Sequence, residues 1–209
     1  GKSVQLIALL LSRYQRNTGE MGNGSLGPSL IVCPASLVYN WGAEFTKFAP
    51  SFNAVVVAGT KAERRTAIGR AFRADEPTVL ITSYDLLRRD VDDYTANEQR
   101  FNVMALDEAQ YIKNHTTKIA KAVKAVAADH RFALTGTPIE NRLSELWSIF
   151  DFLMPGLLGS YKRFHERYEL PISNARAADG STAEGRAAAQ VNPEAARVSR
   201  QLQSLVGVF

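Results

Sequence analysis

The sequence is poor in the residues that build disulfide frameworks and zinc sites. It contains one cysteine, Cys33, and its three histidines (His115, His130 and His165) lack the spacing of zinc ligands. No apolar run approaches the roughly 18 residues that a membrane-spanning helix requires, and no secretory signal opens the chain. We therefore expect an intracellular protein with no structural metal and no membrane partner.

The composition fits one globular domain, with or without an appendage. The chain has 209 residues, of which 45% are apolar and 22% are charged. Its net charge of +4 hides an asymmetry, because residues 1–73 carry nine Lys and Arg against three Asp and Glu. Such a basic segment favours a polyanion such as nucleic acid. A solvated basic helix surface over residues 61–73 explains the same charge.

Short apolar runs alternate with helical patterns along most of the chain. The runs predict strands over residues 30–33, 53–57, 78–82, 101–106 and 131–134. The segments between them predict helices over residues 36–48, 61–72, 83–92 and 115–127, after a first helix that follows Ser3. This alternation is typical of an α/β fold, with a parallel sheet covered by helices on both faces.

After the last predicted strand the pattern becomes helical. Helices are predicted over residues 141–154, 161–170 and 193–206. Residues 173–192 consist mainly of Ala, Gly, Ser, Asp and Arg, which predicts a flexible insertion with too little apolar surface to fold alone. We expect a first domain over residues 1–155 and a helical extension over residues 156–209, in a fragment of a longer protein.

Two adjacent acids, Asp107 and Glu108, follow the apolar run of residues 101–106. That run is typical of a strand buried on both faces, and open α/β sheets bind their ligands where such strands end. There Asp107 would hold Mg²⁺ through its bound waters, and Glu108 would polarise or deprotonate an attacking water. The alternative is that the acids only begin a helix, whose first turn favours negative charge.

The first three residues, Gly1, Lys2 and Ser3, match the end of the phosphate-binding pattern G-x-x-x-x-G-K-[ST]. In that pattern Lys2 reaches the β- and γ-phosphates of a nucleotide and Ser3 binds Mg²⁺. The N-terminus of the following helix faces the anion. A plain turn before a buried helix fits the tripeptide as well, but paired with Asp107 and Glu108 it predicts a nucleotide site.

Five motifs occur in a fixed order: GKSVQ, IVCPASLVYNW, ITSYDLL, LDEAQYIKN and LTGTPIENRLSELWSIFDFL. Together they resemble the first motor lobe of the Swi/Snf family of DNA-translocating ATPases, within helicase superfamily two. The resemblance spans residues 1–171. The glutamine of LDEAQYIKN and the string TGTPIEN are more similar to bacterial members. A bacterial protein would lie in the cytoplasm with the nucleoid, and a eukaryotic one in the nucleus.

The resemblance implies a RecA-like lobe of the P-loop type that binds ATP and Mg²⁺. Gly1, Lys2 and Ser3 would bind the phosphates, and Asp107 with Glu108 would be the hydrolytic pair. Double-stranded DNA is the implied partner, together with a second motor lobe of the same polypeptide, absent from this chain, and a DNA-bound target protein. The isolated lobe should hydrolyse ATP scarcely at all, because an arginine supplied across the cleft is worth about 10³ to 10⁵ in rate.

The resemblance also implies a groove that grips the DNA backbone or relays its state to the ATP. Its residues follow three strands and are Pro34, Ala35, Ser36, Ser83, Tyr84, Thr135, Gly136 and Thr137. Hydroxyl and N–H groups suit phosphate oxygens, which fix position without reading sequence.

Several of these residues have a second interpretation. Ser36 could cap a helix, and the two threonines could only form a turn. Gln110 could hydrogen-bond toward the Thr135 turn and couple ATP to DNA, or it could only cap a helix. Trp41 is expected to pack in the core, because apolar residues share its predicted helix.

Two other functions remain open at this level. The chain could belong to an RNA-dependent ATPase or helicase of the same superfamily, or it could be a docking platform with a vestigial nucleotide site. The first is disfavoured only by resemblance, and the second by the joint presence of Lys2, Ser3, Asp107 and Glu108. We predict the ATP-binding lobe of a double-stranded DNA translocase, hydrolytically active in the full-length protein.

Overall fold

The computed structural model describes residues 1–18, 26–136 and 143–171. The strands are β1 (Ser29–Cys33), β2 (Asn53–Val56), β3 (Thr78–Ser83), β4 (Phe101–Leu106) and β5 (Ala128–Ala133). The α-helices are α1 (Lys2–Thr18), α2 (Val38–Phe48), α3 (Lys61–Ala71), α4 (Tyr84–Arg89), α5 (Val91–Thr95), α6 (Lys118–Ala125), α7 (Leu143–Leu153) and α8 (Tyr161–Phe164). Short 3₁₀ turns span Ala35–Leu37, Ala96–Glu98 and Ala109–Ile112, and a π-helical turn spans His165–Glu169.

The five strands form one sheet in the order β2-β3-β1-β4-β5, and every neighbouring pair is parallel. Ile31 at the centre of β1 pairs with Ile81 of β3 and with Ala105 of β4. All the strands therefore end at the same edge of the sheet, where open α/β sheets bind ligands. The predicted α/β fold with a parallel sheet is confirmed.

Both faces of the sheet are buried. Ile31 and Cys33 of β1 lie in an apolar cluster with residues of α1 and α2, among them Phe45. Leu30 and Val32 point to the opposite face, because successive side chains of a strand alternate. They are also fully buried, and α3 and α4 pack against β3. Helices thus cover both faces, as the sequence predicts.

Side-chain caps explain why two helices differ from their predicted bounds. The predicted helix 115–127 begins only at α6, because the Thr117 hydroxyl accepts the N–H of Ala120 at 3.1 Å. The predicted helix 83–92 is divided into α4 and α5. Ser83 caps α4 by accepting the N–H of Leu86 at 3.3 Å, and Asp90 separates the two helices.

Ser36 does not cap α2, so the cap interpretation of this residue is wrong. It lies exposed within the turn Ala35–Leu37. The residue that precedes α2 is Leu37, which has no capping side chain. Instead the turn is closed by the backbone, since the N–H of Leu37 donates to the carbonyl of Pro34 at 2.9 Å.

Helix α3 carries a buried arginine that its basic sequence did not reveal. Arg64 is 8% exposed. Its Nε and Nη2 donate to the two carboxylate oxygens of Asp90 at 2.5 and 2.8 Å, and its Nη1 donates to the Gly59 carbonyl at 2.6 Å. The interpretation of α3 as a wholly solvated basic surface is therefore wrong at Arg64. The neighbouring pair, Arg65 and Asp93, lies at the surface at 3.4 Å.

The chain divides into two compact units, residues 1–138 and 139–209. In the second unit, α7 buries Trp147 and Phe150 in a cluster with Phe164 and Tyr168. The indole of Trp147 donates to the carbonyl of Gly159 at 3.1 Å.

Some expectations about the C-terminal part stay predictions. These include the domain boundary at residue 155. The insertion predicted over residues 173–192 and the helix predicted over residues 193–206 lie outside the described residues. Within the part of the chain that is described, no helix combines the length and the apolar character needed to cross a membrane.

Two ion pairs of α3, one to Asp90 just before α5 and one to Asp93 within α5, give a matched test of burial. Asp90→Ala should lower the free energy of unfolding by about 3 to 5 kcal/mol, because it leaves the Arg64 charge buried and unpaired. Asp93→Ala should cost less than about 1 kcal/mol, because Arg65 is exposed to solvent. Urea denaturation followed by circular dichroism measures both values, and equal losses in the two variants would contradict the assignment.

Candidate active site

The candidate site lies where β4 and β5 end. These strands pair in parallel up to their last residues, and the pairing continues beyond them. The N–H of Leu134 donates to the carbonyl of Leu106, and the N–H of Ala109 donates to the carbonyl of Leu134, both at 2.8 Å. The chain after β4 therefore lies against the chain after β5, with residues 107–110 beside residues 134–136.

Asp107 is fixed at both its backbone and its side chain. Its N–H donates to the carbonyl of Val32 at 2.8 Å, and its carbonyl accepts from the hydroxyl of Tyr84 at 2.7 Å. The carboxylate oxygen Oδ2 accepts from the indole of Trp41 at 2.9 Å, and Oδ1 accepts from the N–H of Glu108 at 3.0 Å. The acid thus has a single defined orientation at the strand end.

Glu108 has a left-handed backbone, with φ 53° and ψ 56°, a conformation that non-glycine residues seldom adopt. Its carboxylate oxygen Oε2 accepts from the side-chain amide of Gln110 at 2.6 Å. The hydroxyl of Thr135 donates to the amide oxygen Oε1 of Gln110 at 3.1 Å. The predicted hydrogen bond between Gln110 and the Thr135 turn is present, and it connects the turn to Glu108.

The lysine of the first motif reaches the same place. Nζ of Lys2 donates to the backbone carbonyl of Thr135. A Cβ placed on Gly136 would lie 3.8 Å from Lys2 Nζ and 3.8 Å from each carboxylate oxygen of Glu108. Gly1 and Ser3 flank Lys2 at the start of α1. The N-terminus of α1 therefore lies at the edge of the sheet that carries Asp107 and Glu108.

The residues predicted for the DNA groove after β1 and β3 differ in exposure. Ala35 and Ser36 are exposed and Pro34 is half-buried. Ser83 and Tyr84 are 5% and 2% exposed, and their hydroxyls bond to α4 and to Asp107. Of the two predicted roles, contact with DNA or relay of its state, burial favours the relay for Ser83 and Tyr84.

The third predicted groove segment follows β5. Thr135 is half-buried and Gly136 is exposed. Thr137 lies outside the described residues. Of the two described members, Thr135 bonds to Gln110 and to Lys2, and Gly136 lies beside Lys2 and Glu108.

Two residues beside Asp107 were not predicted as part of the site. Trp41 is 3% exposed and packs in the core, as expected, but its one polar atom bonds to Asp107. Tyr111 is 49% exposed, and its ring stacks on Tyr84 with 4.7 Å between centroids and 3° between planes. No sequence pattern links these partners, since Trp41 and Asp107 are 66 positions apart.

The oxygen groups of the site fit a magnesium ion held together with a nucleotide. No group of three or more His, Cys, Asp and Glu in the described ranges could hold a metal by itself. Mg²⁺ needs only one or two protein oxygens where phosphates and water supply the rest. The Asp107 carboxylate and the Ser3 hydroxyl are oxygen donors of this kind. The hydrogen bonds to Asp107 orient its carboxylate and still leave lone pairs for such a ligand.

Burial beside Asp107 raises the pKa values of two side chains, the thiol of Cys33 and the phenol of Tyr84. Burial, and then the charge of Asp107, raise the pKa of the Cys33 thiol from 9.0 to about 12. The same two causes, in the same order, raise the pKa of Tyr84. Tyr84 therefore keeps its proton at physiological pH, and its hydroxyl can donate a hydrogen bond to the carbonyl of Asp107.

Comparison with known proteins gives a consistent family. The model of the SNF2-related domain matches residues 1–206. The TATA-binding protein-associated factor MOT1 of Saccharomyces cerevisiae is 43% identical over 190 residues, which are 88% of this chain and 10% of that protein. An uncharacterized ATP-dependent helicase of Mycoplasma pneumoniae is 45% identical over 169 residues, which are 81% of this chain and 15% of that protein.

Among solved structures, the chain is similar to the Sulfolobus solfataricus SWI2/SNF2 ATPase core in complex with dsDNA. The TM-score is 0.73 and the identity is 34%, over 99% of this chain and 36% of that one. The SWI2/SNF2 ATPase core domain of the same organism gives a TM-score of 0.63 at 34% identity, over 97% of this chain and 34% of that one. The chain thus spans about a third of these structures and about 10 to 15% of the curated relatives.

The environment of Cys33 predicts an inert thiol. In the folded 209-residue chain, Cys33 should not react with a disulfide reagent at pH 8, because the thiolate is the nucleophile. A pKa of about 12 leaves a thiolate fraction of about 10⁻⁴ at that pH. The chain has no other cysteine, so the denatured chain is its own positive control. Equal reaction rates before and after denaturation, followed by absorbance, would be inconsistent with this environment.

Proposed function

Since the chain belongs to the SNF2-related domain family, we propose that it is the N-terminal, ATP-binding motor lobe of an ATP-dependent double-stranded DNA translocase. The observation that carries the proposal is that the Lys2 ammonium and the Glu108 carboxylate both lie close to Gly136, where the strands end. A cation at a helix N-terminus and a carboxylate at a strand end are the pair that a phosphoryl-transfer site requires. The names of the helicase relative and of the ATPase-core structures support ATP as the nucleotide.

In this proposal the start of α1 binds the phosphates. The ammonium of Lys2 exchanges its bond to the Thr135 carbonyl for the β- and γ-phosphates. Gly1 and the free N–H groups of the first turn lie against the same anion. Ser3 and Asp107 hold Mg²⁺, which when bound supplies charge neutralisation at the phosphate oxygens.

Hydrolysis follows from the placement of Glu108. Its carboxylate accepts a proton from a water molecule as the water oxygen bonds to the γ-phosphorus, and the bond from that phosphorus to the β–γ bridging oxygen breaks to release ADP. Lys2 stabilises the charge that develops on the phosphate oxygens. The amide of Gln110 orients the Glu108 carboxylate by donating to its Oε2.

Coupling to DNA would run through the turn after β5. Gln110 bonds to Glu108 on one side and to Thr135 on the other. We infer that a shift of Thr135 on DNA binding moves Gln110 and thereby reorients Glu108.

The remaining partners are inferred from the same family. Pro34, Ala35 and Ser36 would contact the DNA backbone, and Ser83 and Tyr84 would relay its position. A second motor lobe of the same polypeptide would complete the ATP site, so the isolated chain should be almost inactive. The relatives named as TATA-binding protein-associated factors make a DNA-bound protein a reasonable target for the full-length molecule.

The bacterial affinity suggested by Gln110 and the string TGTPIEN stays a prediction. Relatives at 38 to 45% identity include human and Saccharomyces cerevisiae proteins as well as one from Mycoplasma pneumoniae. We propose a nucleoid-associated protein if the source is bacterial and a nuclear one if it is eukaryotic.

The hydrolytic role of Glu108 is tested by Glu108→Gln in the full-length protein. DNA-stimulated phosphate release should fall by about 10²-fold or more, because the amide cannot accept the proton. Binding of a fluorescent ATP analogue should be retained, because the size and the hydrogen bond to Gln110 are kept. Glu98→Gln is the matched control, since Glu98 also has a positive φ of 55° but is exposed at the opposite end of β4.

Undiminished turnover in Glu108→Gln would refute the assignment of the hydrolytic acid. Failure of the wild-type full-length protein to bind magnesium and nucleotide would favour the docking-platform interpretation instead.

The choice between DNA and RNA as the nucleic acid that stimulates the protein can be tested directly. Duplex DNA should stimulate ATP hydrolysis by the full-length protein more than structured RNA of the same length, in line with the solved neighbour bound to dsDNA. The two must be compared at one ionic strength, because phosphate contacts are strongly salt-dependent. A clear preference for RNA would overturn the DNA-translocase proposal in favour of an RNA-dependent ATPase.

A further inference from the structure

The contact between Trp41 and Asp107 is unusual for a core tryptophan. Trp41 lies on α2 among apolar side chains, with Phe45 at 6.4 Å between ring centroids. A buried indole N–H requires a hydrogen-bond partner, and most side-chain hydrogen bonds in proteins go to the backbone or to water. Here the partner is Oδ2 of Asp107, at 2.9 Å. Trp41 therefore lies in the core, while its one polar atom bonds to Asp107 in the candidate site.

A second buried ring contacts the same acid from a different element. Tyr84 begins α4, directly after β3, and its hydroxyl donates to the carbonyl of Asp107 at 2.7 Å. Its ring is clamped by stacking on Tyr111. Trp41 thus holds the side chain of Asp107 and Tyr84 holds its backbone. Trp41 lies on the helix that follows β1, which pairs with β4, and Tyr84 directly follows β3, which pairs with β1.

We propose that Trp41 and Tyr84 are positioning residues, which set the orientation in which Asp107 receives the magnesium ion of the nucleotide. The inference rests on the proposed function. With Oδ2 on the indole and Oδ1 on the N–H of Glu108, the carboxylate cannot rotate without losing a hydrogen bond. Partners of this kind, which orient a metal-binding carboxylate, change metal affinity or activity by about 10- to 100-fold when they are removed.

The competing explanation is that both bonds only satisfy buried polar atoms. In that case, removing them would lower stability and leave the dependence on magnesium untouched. The two explanations therefore differ in a measurement that does not involve turnover.

The test uses Trp41→Phe and Tyr84→Phe in the full-length protein. Each variant keeps an aromatic ring and removes one donor. Binding of a fluorescent non-hydrolysable ATP analogue is titrated over a range of Mg²⁺ concentrations and again in the presence of EDTA. We expect the apparent Mg²⁺ affinity to fall by about 10- to 100-fold in Trp41→Phe. It should also fall in Tyr84→Phe. Affinity for the analogue in EDTA should match that of the wild type.

Two matched controls remove the same groups elsewhere. Trp147→Phe loses an indole bond to the Gly159 carbonyl in the other compact unit. Tyr94→Phe loses a buried hydroxyl on α5. Both should keep the wild-type dependence on Mg²⁺.

The outcomes separate this inference from the proposed function. If the wild type shows Mg²⁺-dependent binding and DNA-stimulated hydrolysis while both site variants keep its Mg²⁺ dependence, the positioning role is refuted and the proposed function stands. If the wild type does not bind the ATP analogue together with Mg²⁺, the proposed function itself fails. Should thermal denaturation show that Trp41→Phe does not fold, Tyr84→Phe alone decides, because it removes a single oxygen.

Discussion

The site depends on the parallel pairing of β4 with β5, which continues past the last residues of both strands. The backbone bonds between Leu106, Leu134 and Ala109 place the acids after β4 beside the turn after β5. A shift of one residue in this register would turn the side chains of β5 to the opposite face of the sheet. The bonds from Thr135 to Gln110 and from Lys2 to the Thr135 carbonyl would then be lost. Backbone pairing thus decides whether the residues of distant motifs can act together.

The apolar core beneath this edge shapes the candidate site as well as stabilising the fold. Asp107 lies at the end of a strand whose six residues are all buried, and the surrounding rings hold its carbonyl and its carboxylate. The same burial keeps Cys33 and Tyr84 uncharged. Asp107 therefore stands beside neutral groups, and Lys2 is the cation that lies near Glu108. Such an arrangement suits a site that receives a magnesium ion together with a polyphosphate.

Much of the fold could be predicted from the sequence, because apolar runs and helical patterns are local signals. The strand 101–106 and the two acids after it illustrate this, since burial on both faces is visible in the composition of the strand itself. The long-range contacts could not be predicted. Nothing local in α3 indicates that Arg64 meets Asp90, and nothing in α2 indicates that the Trp41 indole meets Asp107. For Ser36, a general capping preference gave a wrong interpretation, because a backbone turn begins the helix instead.

We propose that the start of α1 and the acids after β4 form one site for magnesium and nucleotide. A crystal structure of the full-length protein with Mg²⁺ and a non-hydrolysable ATP analogue decides whether they do. We expect phosphate density at Lys2 and the N-terminus of α1, with the metal held by Ser3 and Asp107. Nucleotide bound at another edge of the sheet, or a metal that contacts neither residue, would refute the proposed site.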